Sequence, residues 1–179
     1  TETKQEEQNL TIASSISKKD KNEIDLDQAS TQKELLNSLS GVRVERTSSG
    51  VGHTTAIRMP NGTSNYYLFL QDGIPIQSSG FFNHNALAFT SFETASSVEV
   101  LKGAGSALYG SDAVAATVNV SSLEKPSKEL EREIETSVGS YGFYTTKANI
   151  SDTINKDSSY RANVSYTSED GYREHTSYD

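Results

Sequence analysis

Residues 66–120 constrain the fold more than any other part of the chain. They run YYLFLQDGIPI, a polar loop, and then VEVLKGAGSALYGSDAVAATVNV. Residues 66–70 are apolar on both faces, as a central strand would be, and Asp72-Gly73 ends them with a turn. Val98, Val100 and Leu101 mark a second strand, and residues 115–120 a third. The crossover between those two is rich in Gly, Ala and Ser, which suits backbone packed close against a surrounding wall.

The flanking sequence supplies the rest of an α+β domain. Residues 1–9 (TETKQEEQN) are polar and aperiodic, and read as a disordered lead-in. Residues 10–16 (LTIASSI) read as an edge strand, and residues 18–27 as a solvated loop. Thr31 with Glu34 three residues on is a capping-box pattern. Leu35, Leu36 and Leu39 give that helix one apolar face, and Gly41 stands where it should stop. Val42 and Val44 alternate with charged residues, which predicts a half-buried strand. Residues 47–53 read as a loop, 55–59 as a short strand and Pro60-Asn61-Gly62 as a turn. Residues 77–85 (QSSGFFNHN) form a long loop with two aromatics and a histidine. Helices and strands mix through short connections, so the class is α+β.

After Pro126 the pattern changes. In residues 134–154, Ile134, Thr136, Val138, Tyr144, Thr146, Ala148 and Ile150 share one face, opposite Glu135, Ser137, Lys147, Asn149 and Ser151; Tyr141 and Phe143 break the alternation. Residues 155–158 read as a turn. Tyr160, Ala162, Val164 and Tyr166 then alternate with Arg161, Asn163, Ser165 and Thr167. An isolated antiparallel hairpin with one apolar face is not stable in water. Its apolar face meets either another sheet or lipid. Strands this long with aromatics near their ends suit a transmembrane β-barrel, and the edge of a soluble sandwich suits the pattern equally.

Composition closes several alternatives. The formal charge is −8 at pH 7, which argues against a nucleic-acid partner, since phosphates need clustered Lys and Arg. There is no cysteine, so thiolate metal sites, disulfides and cysteine nucleophiles are excluded. No apolar run reaches the 18 residues of a membrane helix. No charged-then-apolar export signal stands at the N-terminus. The chain therefore reads as cytosolic, as a mature exported protein, or as a piece of something longer. Gly103–Gly110 lacks the Lys-Ser/Thr of a phosphate loop and the spacing of a dinucleotide fingerprint. Ser106 lies in no nucleophile elbow, so no enzyme is expected.

LLNSLSGVRVER, AIRMPNG, YYLFLQDGIPI and VEVLKGAGSALYGSDAVAATVNV, followed by the alternating strands, resemble the TonB-dependent outer-membrane receptors in residue pattern and order. The resemblance implies an α+β plug (a small mixed β-sheet and short helices, residues 10–126). An antiparallel β-hairpin (residues 127–179) would then begin a transmembrane β-barrel. It further implies the outer membrane of a Gram-negative bacterium, contact with its lipid, and TonB as periplasmic partner. The activity implied is energised import of a scarce nutrient, above all an iron chelate such as a ferric siderophore, with haem second. No resident cofactor is implied. The chain would be the opening part of a longer receptor. It departs from the family pattern at Ser40, Met59, Ala104-Gly105 and Ala115-Ala116, where proline or glycine is usual; any left-handed backbone there would be strained.

Carried over residue by residue, the resemblance assigns Arg58, Glu99 and Lys102 to an ion-pair latch between plug and barrel; ordinary surface charge is the plainer alternative. It assigns the apical, ligand-facing loop to Gln77, Ser78, Ser79, Gly80, Phe81, Phe82 and His84, with Tyr109 at a second apex. Aromatic side chains there suit a flat or hydrophobic chelate. Haem receptors of the family carry an axial histidine in this loop, which makes His84 the candidate iron ligand; an exposed histidine in an Asn-rich turn is the plainer alternative. His53 is a lesser candidate.

Overall fold

The computed structural model describes residues 15–29, 31–47, 52–63, 66–76, 85–122 and 130–170, in two units spanning 1–123 and 124–179. The first unit opens with strand β1 (Ser15–Asp20) and helix α1 (Lys21–Asp27). Both correct the sequence expectation. The strand runs on to Asp20, past the end expected at residue 16, with residues 10–14 outside the described residues, and the charged stretch 18–27 is strand and helix rather than a loop. The cause is local: the Asp20 carboxylate accepts from the Glu23 amide at 3.0 Å, and Glu23 accepts from the Asp20 amide at 3.0 Å. This reciprocal capping box starts a helix that has no apolar face to announce it. Lys19 also pairs with Asp27, tying the helix back to the strand.

Helix α2 (Gln32–Asn37) begins as expected, with the Glu34 amide donating to Thr31 Oγ1 at 3.3 Å. Leu35, Leu36 and Leu39 are buried, and Gly41 turns the chain at φ +71°. Strand β2 (Arg43–Arg46) pairs antiparallel with β3 (His53–Ala56). The latter starts and ends earlier than the 55–59 expected, because Arg58 takes a left-handed φ of +57° that extended backbone cannot accommodate.

The main sheet follows from β4 (Tyr67–Gln71), β5 (Ile74–Pro75), a short 3-10 helix (Ala86–Phe89), β6 (Ser97–Lys102), α3 (Ser106–Tyr109) and β7 (Ala116–Ser121). Its order is β1-β6-β7-β4-β5, with β4 parallel to β7 and the remaining pairs antiparallel. Val98, Val100, Val118, Val120, Tyr67 and Phe69 share one face and form the main core with α2, β2 and Ile57. Leu68, Leu70 and Ala113, with Tyr109 against them, form a smaller cluster on the other face. The crossover lies tight over that second face: a Cβ on Gly105 would stand 3.0 Å from Thr117 Oγ1 and 3.2 Å from Leu101 Cδ2. The close packing read from the glycines is therefore, at Gly105, packing against the sheet itself. Ala104, Ala115 and Ala116 are not among the residues of positive φ, so alanine carries no strain there.

The second unit is a three-stranded antiparallel sheet, ordered β10-β9-β8: β8 (Glu131–Val138), β9 (Tyr144–Asn155) and β10 (Ser158–Ser168). The single alternating segment 134–154 is thus two strands, divided where Tyr141 and Phe143 break the pattern. Tyr141 and Gly142 are both left-handed there, at φ +57° and +67°, and the Gly139 amide donates to the Phe143 carbonyl at 2.8 Å. Register places Ile134 and Val164 opposite Ala148, and Ile150 opposite Ala162. The apolar residues of all three strands therefore occupy one face, as the alternation requires.

Candidate functional site

Among the described candidates, Glu99 and Lys102 lie on β6, Arg58 beside Gly103 and Tyr109 over the second face of the main sheet. At the end where β4 finishes, Asp72 (φ +54°) and Gly73 (φ +78°) make the expected turn. The Asp72 carboxylate accepts from the amide and hydroxyl of Ser122, at 2.7 and 2.8 Å, and so anchors the chain leaving β7. The Gly73 amide donates to Asn119 Oδ1 at 2.9 Å, and the Ser91 amide to Gln71 Oε1 at 3.1 Å. These bonds hold the hairpin and the segment after the 3-10 helix at one edge of the sheet.

After the turn the chain runs back beside β4, with Pro75 opposite Leu70 and the Ile76 amide donating to the Phe69 carbonyl at 3.2 Å. Gln77, Ser78, Ser79, Gly80, Phe81, Phe82 and His84 lie outside the described residues. Their neighbours are well placed: Ile74 is exposed, Ala86 and Leu87 anchor the 3-10 helix in the core, and Phe89 on the same helix is 71% exposed. Sequence reasoning missed Ile74 and Phe89. The readable signal was the run ALAF, since four successive apolar residues on a tight helix cannot all face one core.

The latch residues sit otherwise. Lys102 ends β6 on the main-core face; its ammonium donates to Ser17 Oγ at 2.7 Å and to the Ser40 carbonyl at 2.8 Å. Arg58 is exposed, its Nη1 3.5 Å from the place a Cβ on Gly103 would take. Glu99 lies mid-strand, opposite Lys18 of β1 and Asn119 of β7. Odd and even positions of a strand face opposite ways, so Glu99 and Lys102 are on different faces. The three do not converge into one cluster.

Tyr109 ends the short helix of the crossover and packs on Leu68 and Leu70. Burial pushes its hydroxyl above the usual tyrosine range, and the negative charge of Glu99 adds to the shift. The crossover carrying Tyr109 springs from the Lys102 end of the sheet. His53 is 2% exposed and stands edge-on to Phe69, with ring centroids 5.3 Å apart; it belongs to the core. No group of His, Asp and Glu suited to a metal ion occurs among the described residues.

In the second unit the functional feature is a surface. Ile134 is 81% exposed, Val164 66% and Tyr166 61%, all on the apolar face. The buried residues of this sheet, Thr145 and Ser151, lie on the polar face. Tyr144 and Tyr166 adjoin at 6.4 Å near one end of β10, and Tyr160 lies toward the other. β9 and β10 have 12 and 11 residues, enough for a tilted strand to cross a bilayer.

Comparisons agree with this architecture. Residues 8–117 match the TonB-dependent Receptor Plug Domain family. The chain is 38% identical over 112 residues to the vitamin B12 transporter BtuB of Vibrio vulnificus, covering 61% of this chain and 18% of that protein. It is 33% identical over 135 residues to BtuB of Photobacterium profundum, covering 74% and 21%. It spans about a fifth of the length of these curated relatives. Among solved structures, the P. aeruginosa receptor FpvA bound to a heterologous pyoverdine superposes with a TM-score of 0.70 at 22% identity. That match covers 89% of this chain and 21% of FpvA, and it speaks to fold alone.

Proposed function

This chain belongs to the TonB-dependent receptor plug domain family, and on that premise we propose that it is the plug and opening barrel strands of a nutrient importer. Its place is the outer membrane of a Gram-negative bacterium. The observation that carries the transport reading is the outward apolar face of β8–β10. A soluble sheet buries its greasy side, and this one exposes it while its buried residues are Thr145 and Ser151. The competing reading is a soluble interaction module whose last strands pack on Val100 and Val118; those two valines are already buried among residues of their own unit, which disfavours it.

In this reading ligand binds between the 77–84 loop and barrel loops and favours a rearranged N-terminal segment. TonB engages that segment and pulls, and ligand passes inward without covalent chemistry. Ile74 and Phe89, exposed on the segments that flank the loop in sequence, add apolar surface. Arg58 is exposed beside Gly103 while Lys102 is engaged within its own unit, which supports Arg58 as the latch member. Charges withdrawn from water and paired are costly to separate, which suits a latch opened by force. Reversing the charge of Arg58 should loosen the plug, and reversing its partner should restore it; independent effects would contradict a latch.

The cargo class the reading favours is a bulky metal chelate. An iron chelate follows from the family resemblance, and a corrinoid is favoured by two relatives above 30% identity named vitamin B12 transporters. The whole receptor should be titrated with ferric siderophores, haemin and cyanocobalamin. Saturable tight binding of one of them supports the reading, and binding of none contradicts it. Haem additionally requires a Soret shift that His84→Ala weakens.

A further inference from the structure

The outward face of the second unit is not apolar along its whole length. By strand parity, Arg132 of β8 and Asp152 of β9 share that face with Ile134, Ile150, Val164 and Tyr160. Register places Arg132 opposite Ile150, and Asp152 opposite Tyr160. Arg132 and Asp152 are thus diagonal neighbours on adjoining strands, about 7 Å apart. Yet they are not paired with each other. Among the described residues nothing engages the exposed Arg132 guanidinium. Asp152 Oδ1 accepts only from the adjacent Thr153 amide, at 2.7 Å.

Both charges lie toward the β9–β10 turn. Asp152 stands eight positions beyond Tyr144. That is about 27 Å along a strand and less along a tilted strand's membrane normal, comparable with an apolar band about 25 Å tall. The two charges therefore mark the edge of the band, where a charged side chain is tolerated. The β9–β10 connection is shorter than the β8–β9 connection, and the short turns of such barrels face the periplasm. The order of the charges is also defined. Arg132 lies in the row next to Ile134, Ala148 and Val164, whereas Asp152 and Tyr160 lie one row nearer the turn. The cation is on the hydrocarbon side and the carboxylate on the water side.

We propose that Arg132, Asp152 and Tyr160 hold the headgroup of a phosphoethanolamine-type phospholipid in the periplasmic leaflet. The proposal rests on the transport reading above, which places this face against lipid. In that headgroup the phosphate adjoins the glycerol and the ammonium lies beyond it, the same order as Arg132 and then Asp152. A guanidinium offers phosphate a two-pronged set of donors. The carboxylate accepts from the ammonium, and the ring of Tyr160 suits the boundary between hydrocarbon and water. A choline headgroup has no N–H to give Asp152. A glycerol headgroup brings it no cation at all. Arg132 therefore supplies attraction to phosphate, and Asp152 supplies the choice among headgroups.

A fluorophore at position 162, opposite Ile150 in the row of Arg132, reads the lipid beside the site. The whole receptor is reconstituted in vesicles of matched ethanolamine, choline and glycerol phospholipids, one of the three at a time carrying brominated chains. In the parent, the brominated ethanolamine lipid should quench at least about threefold more strongly than either of the others. Arg132→Gln and Asp152→Asn should each make the three lipids equal. Exchanging the charges, Arg132→Asp with Asp152→Arg, reverses their order and should also abolish the preference. Equal quenching in the parent, preference for the glycerol headgroup, or a preference that survives the exchange would overturn the proposal alone. A parent in which no lipid quenches position 162 would contradict the transport reading and the headgroup site with it.

Discussion

In the first unit Val98 and Val100 alternate with Glu99 and Leu101, and the valines turn into a core built with α2 and β2. In the second, Ile134, Val138, Val164 and Tyr166 alternate with polar residues just as regularly and turn outward. Alternation tells which residues share a face; it is silent on what that face meets. The first unit carries helix α2 and the hairpin β2–β3 to cover its sheet. The second offers three strands and nothing among its described residues to cover their apolar side. The difference teaches that a strand pattern acquires its meaning from the layer packed on it.

The largest effect expected in breaking this comparison is at Leu36, fully buried under the plug sheet. Leu36→Ala should remove about 2–5 kcal/mol from the stability of the plug, measured by denaturant unfolding followed with a probe in the first unit, and should leave barrel folding intact. Next come the two faces of β10. Val164→Arg should cost about 2–4 kcal/mol of folding into bilayers if that position lies near mid-membrane, whereas Ser165→Arg should cost far less. Equal costs would erase the distinction between the faces. Thr31→Ala removes the cap that holds Glu34 and should cost about 1 kcal/mol, again confined to the first unit.

The smallest effect is a pH dependence. Lys19 hydrogen-bonded to Asp27 is the main reason that this carboxyl sits below its ordinary range, with the Ser38 hydroxyl helping and partial burial opposing. A folded-state pKa below the unfolded value stabilises above the unfolded value. Docking of β1 and α1 should therefore be constant near neutrality and weaken as pH falls through the acid range below the ordinary carboxylate value of about 3.9. Protection of residues 15–20, corrected for intrinsic exchange, should show this loss, and Asp27→Asn should abolish the dependence.

Much of the fold was legible where local chemistry and burial agree. The Thr31–Glu34 cap with three leucines gave α2, the Asp72-Gly73 turn closed β4, and the apolar run 66–70 gave a strand buried on both faces. Helix α1 escaped because its capping box, Asp20 with Glu23, precedes no apolar stripe, and a helix held by polar contacts leaves no periodicity to read. The 3-10 helix at 86–89 is too short to show a period. The β8–β9 turn was marked only as a break at Tyr141 and Phe143, because left-handed backbone at a tyrosine has no reliable sequence sign. The site was less legible than the fold. That Lys102 faces one side of the sheet and Glu99 the other follows from strand parity. That Lys102 bridges Ser17 and Ser40 depends on a pairing between residues more than eighty positions apart, which local pattern does not encode.

Lipid accessibility at adjacent positions of β10 tests the central claim most directly. A small fluorophore is placed singly at 164 or at 165 in the whole receptor, reconstituted in vesicles with brominated acyl chains. The outward-face account predicts strong quenching at 164 and little at 165. Equal quenching at the two positions, or quenching at 165 alone, would contradict it.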